Sequence, residues 1–560
     1  MMASAALALD DPDDVFGTSD IVRLVMARKN APLLKYEPIL SSPSHRIPKF
    51  KKAVQAIIKN GYPMRGASYV FPLDRPLPWA HADRTIAYFL QAFSPISPIL
   101  MEHGLSGDEA CFEAATEYLN DWLKVARAPD SRDGFMWYDM AVGLRCYKIA
   151  YMTDVMMRAR APNYDRLAHL MTVLDWHRQV LTQDVTHHTN HGLYQVLGQI
   201  AMCRRFRDVP RFEEAYQQAQ NRLDEMLNSQ FFADGVHREH SPGYHWMLLG
   251  TLIDSMNAGL IEREDHLQLI GRIEESMSWF IQPNLQMPAF GDTDASGIEV
   301  GYFQPKDFSH PSLRYALSQG IEGIATRNRL RLFEPSGYAV FQAENPKTDK
   351  TETYLAQATG FHSQTHKHAD HLTFVWHDRG EDLLVDSGHF AYRGKTDKNS
   401  DLWQQGFWYS DPKRIYVEKT KAHNCIEIDG QDYPRRGVKP YGSALRRTAQ
   451  DQSKVYAIES ECRPFKSIRH DRVLFISPRR FLIVFDWIKD NAEQTHDFRQ
   501  WFHVGPKLDV TAQGYDLTIT RGGKPFVSMV SLSDGVGLEQ MVRGQSDPDI
   551  QGWVSHDKGS

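Results

Sequence analysis

The sequence predicts an α+β multidomain protein, a helical half followed by an antiparallel β half. Three observations carry this. The chain has 560 residues, more than one hydrophobic core usually serves, so two or more domains are expected. From about residue 48 to 325, apolar residues recur at three- and four-residue spacing, the mark of one-sided helices. After about residue 335 the pattern changes to short runs rich in Val, Ile, Phe and Tyr, bounded by turn residues.

Residues 1–47 read as an N-terminal extension. Its start, "MMASAALALDDPDD", has a short apolar piece and no basic region before it, which makes a poor signal peptide. The expected location is the cytoplasm of a bacterial cell, or the periplasm after removal of a leader. Residues 48–325 form the helical domain. "ADRTIAYFLQAFSPISPIL", "ACFEAATEYLNDWLKVA", "YDMAVGLRCYKIAYMTDVMM", "YDRLAHLMTVLDWHRQVL", "HGLYQVLGQIAMCRRF", "RFEEAYQQAQNRLDEML" and "YHWMLLGTLIDSMNAGL" each carry an apolar stripe. Short breaks between such helices favour antiparallel hairpins, here in an arc or ring. No exact repeat supports a regular solenoid. "RNRLRLFEPSG" reads as the linker. Residues 335–560 hold the strands, among them "SGYAVFQA", "TYLAQATG", "LTFVWHD", "KVYAIESE", "DRVLFIS" and "RFLIVFDWI", and read as a β-sandwich. A cleft between the two domains is the expected binding site.

Composition narrows the class. The chain is 42% hydrophobic and 24% charged, as in ordinary globular proteins. A net charge of −6 without a long Lys/Arg run argues against nucleic acid as partner. It leaves room for an anionic sugar held in a local basic groove. No run of about 18 apolar residues exists to span a bilayer, so no membrane partner is expected. Cys111, Cys146, Cys203, Cys425 and Cys462 form no CxxC pair and read as buried free thiols. A homodimer is compatible with these features.

Three polar clusters stand out. "HHTNHGLYQ" (187–195) places His187, His188, Asn190 and His191 at or before a helix start. The plain role there is helix capping by Asn190. "DGVHREHSPGYHWMLL" (234–249) breaks at Pro242 and Gly243, and a helix is expected to begin near Tyr244. His237, Arg238, His240 and His245 surround that break. "THKHADH" (365–371) sets His366 and His368 two apart, on one face if the segment is a strand. Asp386 ends a following strand and His423 begins another. Two histidines and an aspartate from neighbouring strands make a zinc site with one open position. The plain alternative is a polar strand surface.

Taken together, "NHGLYQ", "HREHSPGYH", "HKHADHLTFVWHDRGEDLLVDSG", "AHNCIEIDG" and "RFLIVFDWI", in this order over roughly residues 80 to 555, resemble the heparinase II/III-like polysaccharide lyases. The resemblance implies an incomplete (α/α) toroid followed by antiparallel β-sheets. It implies β-elimination on a uronic-acid-containing polysaccharide or oligosaccharide. It places catalytic roles on Asn190, His191, Tyr244 and His366, and a structural Zn2+ on His368, Asp386 and His423. It departs at Tyr194, where heparinase II-like members carry a glutamate, so heparin-type specificity is not implied. Arg84, Arg238 and His240 are candidate substrate contacts. Trp137 is a candidate sugar-stacking ring, or else a core residue.

The chemistry explains these residue types. The C5 proton of a uronate is very weakly acidic. Donors on the adjacent carboxylate let charge build there, a role for Asn190, with His191 or His366 assisting if protonated. A base takes the proton and an acid protonates the leaving oxygen. Tyr244 suits the acid role as a neutral phenol, and the base role if cations lower its pKa. The substrate class is a glycosaminoglycan-like or bacterial uronate polymer. The alternatives are an alginate or oligoalginate lyase of the same fold, a zinc-dependent glycan hydrolase, and a non-catalytic carbohydrate-binding protein.

Overall fold

A computed structural model of the chain describes residues 16–40, 44–64, 70–129, 135–183, 185–186, 189–295, 297–298, 303–326, 328–345, 347–348, 350–452, 454–514, 516–534 and 536–555. These divide into two compact units. The first comprises residues up to Gln230 with Gly250–Gln268 and Gly301–Phe303, and the second comprises Phe231–Leu249, Leu269–Val300 and Gln304 onward.

The first unit is helical. Helices Glu109–Leu123, Met140–Met157, Tyr164–Gln183, Asn190–Cys203 and Pro210–Gln230 follow one another, the last four with short connections. Met140–Met157 packs against both Tyr164–Gln183 and Asn190–Cys203, and Asn190–Cys203 against Pro210–Gln230. Met140–Met157 is buried on nearly all sides, Arg145 and Lys148 included. Its composition says so in advance, because a helix apolar all round belongs in an interior. The two buried cations are satisfied locally. Arg145 donates to Gln91 O at 2.7 Å and to His177 Nε2 at 2.9 Å, and Lys148 donates to Ala92 O at 2.9 Å.

Glycine brings two of these helices into contact. A Cβ at Gly198 would fall 2.0 Å from Gly143 O, and one at Gly143 would fall 2.5 Å from Gln195 Cα. Only bare backbone permits this approach. The first turn of Met140–Met157 therefore meets the middle of Asn190–Cys203, and Asp139 lies beside His191.

The second unit is sheet-rich. Leu330–Phe333, Tyr338–Glu344, Thr351–Ala358, Phe374–Asp378 and Glu381–Leu384 form an antiparallel five-stranded sheet. Leu445–Gln450, Tyr456–Cys462, Ile468–Ser477 and Phe481–Asp490 form a four-stranded meander. Phe341, Leu355 and Phe374 of one share a core with Ile458, Leu474 and Ile476 of the other. Each such side chain contributes about 1.5–3 kcal/mol by leaving water. The segment read as a linker carries the strand Leu330–Phe333, which pairs with Tyr338–Glu344. Its alternating Leu and Arg residues mark a half-exposed edge strand.

All five cysteines are free and buried. Among the described residues no helix is long and apolar enough to cross a membrane.

Candidate active site

The expected catalytic residues are divided between the two units. In the first, helix Asn190–Cys203 begins after Thr189, so Thr189 is the cap and Asn190 the first helical residue. The half-buried Asn190 amide has no hydrogen-bond partner among the described residues. His191 Nδ1 lies 2.7 Å from Asp139 Oδ1, with the histidine side chain 43% exposed and the aspartate 9%. Burial alone raises the Asp139 pKa, but the hydrogen bond and charge of His191, the Met140 N–H and the Arg84 guanidinium bring it below its ordinary value. Arg84 is exposed at the start of helix Arg84–Gln91 and rests on the Phe135 ring. His187 and His188 lie outside the described residues. Tyr194 is a core residue, its hydroxyl 3.1 Å from Thr251 Oγ1.

In the second unit the helix begins at Pro242, two residues before Tyr244, with proline at the first helical position where its missing N–H costs nothing. The Tyr244 ring stacks on His366, centroids 3.8 Å apart. The segment around His366 is a loop and not the strand expected from H-x-H; the strand starts only at Phe374. His366 sits at φ +55°, outside extended backbone, so the alternation of faces does not apply. The two histidines are joined differently, through one buried carboxylate. Asp292 Oδ2 accepts from His366 Nδ1 at 2.7 Å, and Oδ1 accepts from His368 Nε2 at 2.9 Å. Tyr392 donates to Oδ2 at 2.8 Å and lies 3.1 Å from the Tyr244 hydroxyl. Arg414 Nη1 lies 2.6 Å from Oδ1.

Electrostatics follow from this hub. Burial opposes charge on Asp292, yet Arg414, His366 and His368 hold its carboxyl well below the usual range. Burial likewise opposes protonation of His366, but Asp292 and Glu239 overcome it and raise the imidazole to about 9. Burial and the Asp292 charge push the Tyr244 phenol above its ordinary value. At neutral pH the stack is therefore a neutral phenol on an imidazolium. The condition for Tyr244 as a base, a pKa lowered by cations, is not met.

Gly291 makes the hub possible. It lies at φ +52°, and a Cβ there would fall 2.3 Å from His366 O and 2.8 Å from His240 O. The Asp292 N–H donates to His366 O at 3.2 Å, tying the two loops together.

His368, Asp386 and His423 are all fully buried. His368 Nδ1 and His423 Nε2 have no hydrogen-bond partner among the described residues. These two orphaned nitrogens fit metal ligation in donor type. The three residues do not gather one ligand atom each round a single point, and both Asp386 oxygens lie 2.9 Å from His423 Nδ1. Among the described residues, the one group of three with gathered ligand atoms is Asp224, Asp265 and His266. Arg263 already lies against both of those carboxylates.

Two expected substrate contacts are corrected. Trp137 is 2% exposed, donates to Arg127 O and packs edge-on against His177 and Trp176. It belongs to the core, because the indole fills space beside Arg145. His240 has both ring nitrogens engaged, Nδ1 with Thr365 O at 3.0 Å and Nε2 accepting from the His362 N–H at 2.9 Å. It is a neutral clamp, its pKa lowered to about 3 mainly by burial. Arg238 is half-buried, with its guanidinium 4.1 Å above the Phe232 ring.

Asp139, Asp292, Tyr392 and Arg414 were not singled out from the sequence. Their signal is thin: a lone Asp in "MWYDM", and a Gly-Asp step in "AFGDTDASG".

Two family models match this chain, Heparinase II/III N-terminus over residues 51–304 and Heparinase II/III-like, C-terminal, over residues 325–559. The chain belongs to the heparinase II/III-like family. A heparin-sulfate lyase of Pedobacter heparinus is 20% identical over 459 residues, 77% of this chain and 65% of that protein. One of Bacteroides thetaiotaomicron is 22% identical over 307 residues, 49% of this chain and 40% of that protein. The chain thus spans less than two thirds of the length of either relative. A crystal structure of Heparinase III superposes with a TM-score of 0.70 at 16% identity, over 90% of this chain and 81% of that one. The helical N-terminal region and sheet-rich C-terminal region are the fold they share.

Proposed function

We propose that the protein is a polysaccharide lyase that cleaves a uronic-acid-containing glycan, glycosaminoglycan-like in class, by β-elimination. The observation that carries this reading is the Tyr244–His366 stack anchored on Asp292. A protonated phenol beside a held imidazolium is suited to protonating a leaving oxygen and to stabilising negative charge on a uronate carboxylate. Asn190 offers an amide donor of the kind a uronate carboxylate accepts, and Arg84 a surface cation. His191 takes the C5 proton at Nε2. The C5–H and C4–O bonds break, a C4=C5 double bond forms, and the proton of Tyr244 goes to the departing oxygen. The helical unit would then be the incomplete (α/α) toroid of the family.

His368, His423 and Asp386 would hold zinc, which would brace the loop that carries His366. Metal analysis of the purified protein, with and without His423→Ala, tests this; a parent protein without bound metal overturns it.

Tyr194 in place of the family's glutamate supports keeping alginate beside heparan sulfate, hyaluronan and chondroitin as a substrate. The decisive experiment is ultraviolet absorbance of products from that panel. A conjugated unsaturated uronate, lost in Tyr244→Phe, is the expected result. Cleavage without a new double bond would make the protein a hydrolase.

A further inference from the structure

Asp139 has a backbone that an aspartate should avoid. It sits at φ 61°, ψ −162°, a region populated almost only by glycine. Capping does not explain this. Asp139 accepts the Met140 N–H at the start of helix Met140–Met157, but Asp83 and Asp108 cap their helices from ordinary extended backbone, at φ −73° and −67°. The Asp139 carboxylate differs from both in holding a histidine ring, His191 Nδ1 at 2.7 Å.

The surroundings hold this pair in place. Gln195 Nε2 donates to Asp139 O at 3.3 Å, while its Oε1 accepts the Thr186 N–H at 2.8 Å. One side chain thus braces both the aspartate and the segment leading to His191. The Gly143–Gly198 contact holds the two helices together behind them. An ionised carboxylate only accepts hydrogen bonds, so the proton of a neutral His191 resides on Nδ1. The lone pair is left on Nε2, which has no partner among the described residues.

We propose that Asp139 is the positioning residue of His191: it selects the Nδ1–H tautomer, fixes the ring plane, and so presents the Nε2 lone pair to the substrate proton. This rests on the lyase reading for its reaction, but the tautomer itself does not.

The test combines nitrogen-15 NMR of histidine-labelled full-length protein with steady-state kinetics. His191 is assigned by loss of its signals in His191→Gln. Wild type should show a protonated Nδ1 and an unprotonated Nε2 at His191. Asp139→Asn should shift the proton towards Nε2 and lower kcat by about 10²- to 10⁴-fold, with KM changed less than about threefold, the pattern of an interaction needed for the chemical step. Asp139→Gly relieves the backbone, so it keeps the question open to test if the Asn variant does not fold. Its kcat should be equally low and partly restored by added formate. A wild-type His191 protonated on Nε2, an Asp139→Asn enzyme with normal kcat, or an Asp139→Gly enzyme with normal kcat overturns the proposal. A wild type inert on every uronate polymer defeats the lyase reading alone, and the NMR result still decides the pairing.

Discussion

Asp292 is the residue on which most of the second constellation depends. One carboxylate receives His366, His368, Tyr392 and Arg414. Asp292→Asn keeps the shape and removes the charge, leaving Arg414 buried with less compensation. The expected cost is about 3–5 kcal/mol, as for a broken buried pair. Activity should fall about 10²-fold as the Tyr244–His366 stack loses its anchor. Urea denaturation and product absorbance measure the two effects. A variant with full stability and rate would show the hub to be incidental. Asp292 was not legible in the sequence because its partner His366 is 74 positions away. Asp139 is 52 positions from His191. Loop aspartates are common, and distance along the chain hides a pairing. Asn190, His191, Tyr244 and His366 stand within dense local motifs, which is what singles them out in the sequence.

Elements put these residues where they are. Helix stripes could be read because apolar spacing is a local property, and strands such as Ile468–Ser477 and Phe481–Asp490 for the same reason. "THKHADH" misled because H-x-H alternates only within a paired strand, and this segment folds as a loop ahead of Phe374. Trp137 misled because the loop ahead of a helix gives no sign of which aromatic turns inward. The Gly143–Gly198 contact yields a prediction at this scale. Gly198→Ala drives a methyl to 2.0 Å from Gly143 O, so the helices must part. The expected destabilisation is about 3 kcal/mol, at the upper end for overpacking. In the histidine NMR spectrum the His191 signals should move although the substitution is seven residues away. A thermal midpoint equal to wild type would contradict the contact.

At the scale of the whole molecule, buried neutral histidines set the acid limit of stability. Burial lowers the His237 pKa to about 4 and that of His245 to about 3. The unfolded chain titrates them near 6.5. Above that value their contribution is fully present. As pH falls through the window from about 6.5 to about 4, the unfolded state binds protons that the folded state refuses. Stability should drop by up to ~1.4 kcal/mol per pH unit for each such group. Urea midpoints measured across that window should fall steadily as pH decreases. A flat profile would mean these rings are protonated in the native state.

The backbone of Asp139 has a different kind of consequence. A residue held in glycine's region carries about 1–3 kcal/mol of strain, and Asp139→Gly would release it. Screening a library of variants by melting temperature alone should therefore enrich glycine at this position. The same selection would discard the carboxylate that orients His191. Thermal robustness and turnover are opposed at this one codon, so a stabilised form of the protein should be sought elsewhere in the chain.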